Sequence, residues 1–141
     1  MAQMTAGSGG SGAGEVNPGM VTGYVVTAWL FVASVLVQAF LAGRGMYNDF
    51  DLIDVHGMVA NLVFLLAVAQ LILAFLATKG SPQRSVLIGL SGLLLVLTVA
   101  QIGIGYAIEE ERGIGGWHIL NGVLIMGLGT ANGVLAMGNR R

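Results

Sequence analysis

The sequence predicts an all-α integral membrane protein, a four-helix bundle of up-down-up-down topology, and three observations lead there. Of the 141 residues, 55% are hydrophobic and only 9% charged, against about 25% charged in an ordinary soluble domain, and the mean hydropathy is +0.83. The apolar residues are gathered in four blocks, each reaching the roughly 20 residues that a helix needs to cross a hydrocarbon core. The breaks between blocks are short and rich in Gly, Pro or charge, so successive helices return antiparallel and pack as neighbours.

Residues 1–19, MAQMTAGSGGSGAGEVNPG, are rich in Gly, Ser and Ala without periodicity, a composition that does not bury enough surface to order itself and reads as a flexible tail. The remainder, 20–141, forms the membrane domain. The first span is expected over 20–43, stopped by the glycines, arginine and acids of GRGMYNDFD. No Lys or Arg precedes it, so it lacks the positive leader of a cleavable signal and is expected to stay as an anchor. The second span is expected over 52–78 and ends at KGSPQR, a Gly-Ser-Pro turn. The third covers 85–108, and the acidic EEERG separates it from the fourth, 114–137.

Cationic residues set the expected orientation, because Lys and Arg are retained on the cytoplasmic side while acids count for little. Lys79, Arg84, Arg140 and Arg141 fall on the side of both termini, and Arg44 and Arg112 on the other. Both termini are therefore expected in the cytoplasm, with the chain multi-pass in the cell membrane. A net charge of -1 with no basic stretch argues against a nucleic-acid partner. The absence of cysteine excludes disulfides, thiolate metal sites and iron–sulfur clusters.

Laying His56 on His118, an offset of 62 residues, brings Gln70 onto Asn132 and Gln38 within one position of Gln101. A duplicated helical hairpin would produce such matches. The chain has two histidines in all, one about a turn inside the second span and one about a turn inside the fourth. Those spans run in the same direction and can lie diagonally across a bundle, so both imidazoles are expected at one depth near the outer face. That is the arrangement that holds one six-coordinate b-type haem between two axial histidines, and it makes His56 and His118 the candidate metal ligands.

At about 100° per residue, His56 shares a stripe with Ala60, Val63, Ala67 and Ala74, and His118 with Gly122, Gly129 and Gly133. Small residues beside a ligand leave room for a flat macrocycle; they equally allow close helix packing. Packing is the expected role of Gly129 and Gly133, while for Ala60 and Gly122 both readings stand. Gln38 and Gln101, level with the histidines, are candidates to hydrogen-bond a histidine Nδ1 or a haem propionate, or to tie helices together, the role expected of Ser34, Gln70, Ser91, Thr98 and Asn132. Arg44 and Arg112 are candidates to pair with propionates, or ordinary loop charges beside the neighbouring acids. Trp117, Tyr106, Tyr47 and Phe50 sit where an aromatic belt anchors a membrane interface.

The histidine pair on the second and fourth of four spans resembles one half of the haem A synthase family, whose members join two four-helix bundles, each carrying such a pair near the outer membrane face. The matching residues are His56 and His118. The chain also looks like small prokaryotic four-helix membrane proteins of cytochrome b type and, more distantly, like di-haem cytochrome b subunits that pass electrons to quinone. The resemblance implies one haem b per chain and electron transfer or haem handling, more than stand-alone enzymatic catalysis, with the bilayer and either quinone or other membrane subunits as expected partners. A second reading is a haem-free accessory subunit that packs its Gly-rich third and fourth helices against a larger membrane complex.

Overall fold

In a computed structural model of the chain, described over residues 17–108 and 110–138, four long helices follow one another: α1 (Pro18–Tyr47), α2 (Asp51–Ala77), α3 (Arg84–Ala107) and α4 (Gly115–Gly138). A single 3-10 turn, Arg112–Ile114, leads into α4. At about 1.5 Å per residue even the 24-residue α3 is about 36 Å long, more than the roughly 30 Å hydrocarbon thickness. All four helices are apolar enough to span a bilayer, and the chain is a multi-pass, all-α membrane bundle.

The last three spans agree with expectation to within one residue. The first is longer at both ends. The Asn17 side chain accepts from the Gly19 and Met20 amides at 2.9 and 3.4 Å, and Pro18 needs no amide partner, so the helix starts two residues earlier than hydropathy indicates. Of the expected tail, residues 17–19 belong to this start, and the rest lies outside the described residues. At the other end the helix runs through Gly43 and Gly45 because Gly45 is a contact point and not a stop. A Cβ there would lie 2.6 Å from Ile53 Cδ1 and 3.2 Å from the Ile53 amide nitrogen, so only glycine lets α1 and α2 approach this closely.

Between α2 and α3, Gly80 takes φ 83°, a left-handed conformation that glycine adopts without penalty. Arg84 donates to the Phe75 carbonyl at 2.9 Å, satisfying one of the free carbonyls at the end of α2. Asp51 and Asp54 occupy the first turn of α2, where negative charge complements the helix dipole.

Each helix packs on its neighbours in the chain, and α4 closes on α1, which leaves α2 and α4 diagonal. Two apolar clusters fill the interior. Val21, Tyr24, Val25, Ala74, Ala77, Leu87 and Ala136 form the one nearer the chain termini, and Phe31, Val63, Ala67, Leu94 and Ile125 the next. By helix register a polar layer lies between them, with Tyr24 Oη 3.0 Å from Ser91 Oγ and donating to Asn132 Oδ1 at 2.9 Å. Gln70, 1% exposed, belongs to the same level on α2 and has no partner at either amide atom. Ser91 and Asn132 thus tie helices together as expected, whereas Ser34 and Thr98 bond Leu30 and Leu94 of their own helices, the usual four-residue back-bond of a hydroxyl in an apolar helix.

Beyond Val32, Val63, Thr98 and Asn121 the packing changes. Among the described residues, the third of the bundle at the other end contains one buried position, Gly45, and no buried side chain. This third, whose side chains are at most partly buried, carries the two histidines.

Candidate metal site

His56 is the sixth residue of α2 and His118 the fourth of α4, so parallel helices deliver both rings to one level. The diagonal placement of α2 and α4 turns the rings toward each other across the interior. Their centroids are 6.2 Å apart and their planes tilted by 58°. Each ring atom lies about 1.2 Å from its centroid, so the closest possible approach of two ring nitrogens is about 4 Å, beyond hydrogen-bond reach. The imidazoles therefore face one another without bonding directly. Two nitrogens on opposite sides of one metal, each bonded at about 2.0 Å, would place the centroids about 6 Å apart, and the observed spacing fits.

The His56 Nδ1 lies 3.0 Å from the Gln38 carbonyl oxygen. A carbonyl accepts only, so Nδ1 carries the proton and Nε2 keeps its lone pair, the orientation that a carbonyl imposes on metal-binding histidines. The His118 ring rests on Gly105 of α3, where a Cβ would meet His118 Cε1 at 3.3 Å, and hydrogen-bonds the Gln101 backbone.

Of the roles expected of the two glutamines, Gln101 takes that of tying helices together, and Gln38 meets a histidine Nδ1 through its backbone carbonyl instead of its side chain. Gln38 serves His56 through its backbone, and its own Oε1 is buried without a partner. Gln101 donates to the His118 carbonyl at 2.9 Å and accepts from Asn121 Nδ2 at 2.8 Å, while Asn121 also donates to the Leu97 carbonyl at 2.9 Å. This network joins α3 to α4 directly below the His118 ring. Gly122 provides room for it, since a Cβ there would lie 3.3 Å from Gln101 Nε2. Its small size accommodates the glutamine. Gly129 and Gly133 likewise admit Phe31 and Trp29 of α1, with Cβ distances of 3.1 and 3.2 Å; this stripe is consumed inside the bundle and is not free for another subunit.

Ala60 is half-buried one turn from His56, and Arg44 is exposed in the last turn of α1. Arg112 lies in the 3-10 turn; its side chain is outside the described part of the structure. Tyr47, Phe50, Tyr106 and Trp117 are between 66% and 84% exposed, as an aromatic belt requires. The role of Gly105 is not evident in the sequence. Asn121, three residues after His118 and so on one face with it, is expected to cap or bridge helices, and it bridges α4 to α3.

Among the described residues no three His, Cys, Asp or Glu side chains gather around a common point. A bare zinc or non-haem iron site, which draws three or four ligands from protein, has no donor set here. Two opposed imidazoles suit a metal whose other positions are filled by a macrocycle. Comparison of the chain with family models, with curated proteins and with solved structures gives no match.

Proposed function

We propose that this protein is a small b-type cytochrome of the cell membrane that binds one haem between His56 and His118, near the outer face, and serves electron transfer or haem handling there. The observation that carries the reading is the pair itself: two imidazoles from diagonal helices, opposed at 6.2 Å, in the one third of the bundle that lacks buried side chains. A porphyrin is a large apolar plane. Inserted there it would supply the missing core of that third, where helices elsewhere close on Phe31, Leu94 and Ile125. Haem bound in this way supplies one-electron redox chemistry. The chain's residues would hold it: the His56 and His118 imidazoles as its protein ligands, with the Gln38 carbonyl fixing the His56 tautomer and the Gln101–Asn121 network fixing the backbone that carries His118.

The distribution of Lys and Arg supports cytoplasmic termini and, with them, a site toward the outer side. One haem at that depth reaches only the outer half of the bilayer, so the reading favours exchange with partners at that surface over conduction across the membrane. The test is optical. Protein expressed with ample haem and purified in detergent should show a sharp reduced α-band after dithionite, absent from both His56→Ala and His118→Ala. A colourless wild-type preparation would overturn the proposal.

A further inference from the structure

Each histidine meets the backbone of the helix that precedes its own, and the two meetings match. The His56 Nδ1 lies 3.0 Å from the Gln38 carbonyl of α1, and the His118 ring hydrogen-bonds the Gln101 backbone of α3. Inside a helix the Gln101 N–H is committed to the carbonyl four residues earlier, so the group left for the ring is the second lone pair of its own carbonyl. A helical carbonyl is open to a neighbour where the side chain four residues later is small, because each Cα–Cβ bond leans toward the helix N-terminus and covers the preceding turn. The residue four after Gln38 is Ala42, and the residue four after Gln101 is Gly105.

At Gly105 the fit is close. A Cβ there would meet His118 Cε1 at 3.3 Å and His118 Nδ1 at 3.7 Å, and no other described residue comes within 4 Å; at Gly103, two residues away on the same helix, nothing lies within 4 Å. Glycine in a helix interior weakens the helix relative to alanine. What the missing side chain at 105 admits is the His118 ring.

Resting on the haem reading above, we propose that Gly105 is a positioning residue that acts through His118. By leaving the Gln101 carbonyl uncovered it seats the ring against α3, engages Nδ1 there and keeps Nε2 as the nitrogen free for iron. The two carbonyls then fix the two rings separately, with 58° between their planes. A methyl group at position 105 forces the His118 ring to turn about its side-chain bonds, and a ligand group must be held within about 0.5 Å of its working position.

The experiment compares haem-loaded wild type, Gly105→Ala and Gly103→Ala in detergent, with helicity checked by circular dichroism. Two quantities are read: the g-values of the low-spin ferric signal, which depend on the angle between the two imidazole planes, and the rate of haem loss to excess apomyoglobin. Gly105→Ala is expected to shift the g-values and to lose haem about tenfold faster, and Gly103→Ala to match wild type in both. A role in helix packing alone would move the melting temperature and leave the g-values in place. Wild type, with its rings tilted, is expected to show a larger highest g-value than free ferric haem with two imidazoles in frozen solution, where the rings lie nearer to parallel; this arm needs no variant and stands if Gly105→Ala fails to fold. Gly105→Ala indistinguishable from Gly103→Ala overturns the inference, as does a wild-type signal equal to that of the free complex. Both failures leave the haem reading intact, whereas a colourless wild type removes it and this inference together.

Discussion

The Nδ1 of His56 and the backbone carbonyl of Gln38 are 3.0 Å apart, so the ring on α2 is oriented by the peptide backbone of α1 and not by the glutamine side chain. A carbonyl survives substitution of its own residue. Gln38→Leu, which removes a buried Oε1 that has no partner, is therefore expected to leave bound haem per chain unchanged and to alter stability by no more than about 1 kcal/mol. Loss of haem in this variant, measured by absorbance against protein concentration, would show that the side chain itself is required.

The Gln101–Asn121 pair carries three hydrogen bonds between α3 and α4. Interhelical hydrogen bonds in membranes average about 0.6 kcal/mol and reach about 1.7. Asn121→Ala is expected to cost about 1 to 2 kcal/mol in denaturation from detergent, and Gln101→Ala a similar amount. Because the residues share one bond, the double variant should cost clearly less than the sum. Strict additivity would mean that the network does not act as a unit.

Within the polar layer, Tyr24 Oη serves both Ser91 and Asn132. Tyr24→Phe leaves the Asn132 carbonyl oxygen buried without its donor, and about 1 to 3 kcal/mol of destabilisation follows. Gln70 provides the opposite case. Both of its amide atoms are buried without a protein partner, so Gln70→Leu is expected to be neutral or stabilising. Thermal melts of the two variants side by side check the pair, and a destabilised Gln70→Leu would reveal a partner for that amide.

Gly129 and Gly133 receive Phe31 and Trp29, so added bulk must separate α4 from α1. Gly129→Val is expected to cost about 1 to 3 kcal/mol, measured by thermal denaturation in detergent, while Gly127→Ala, where nothing lies within 4 Å, should change little. If Gly129→Val left the isolated protein intact and affected only its association with other membrane proteins, the stripe would be an external interface after all.

The number and order of spans were legible because lipid demands long apolar runs, and nothing in the chain obscures them. The helix ends were less so. Asn17 and Gly45 extend α1 through a cap and a close approach to Ile53, and hydropathy does not register either. The histidine pair stood out because the chain has only two, at matching depths. What the sequence could not reveal is which atom each neighbour presents. Gln38 acts through its carbonyl, Gln101 turns to a backbone and to Asn121, and Gly122 makes room for that amide. Such choices depend on the side-chain directions of two packed helices, which helical spacing alone does not specify.

One haem iron is proposed to be held between His56 and His118. Low-temperature electron paramagnetic resonance of the oxidised, haem-supplied protein tests it most directly. Wild type should give a low-spin ferric signal from two axial imidazoles, and His118→Ala a high-spin signal from one. A high-spin wild type, or a low-spin signal that persists when either histidine is replaced, would contradict it.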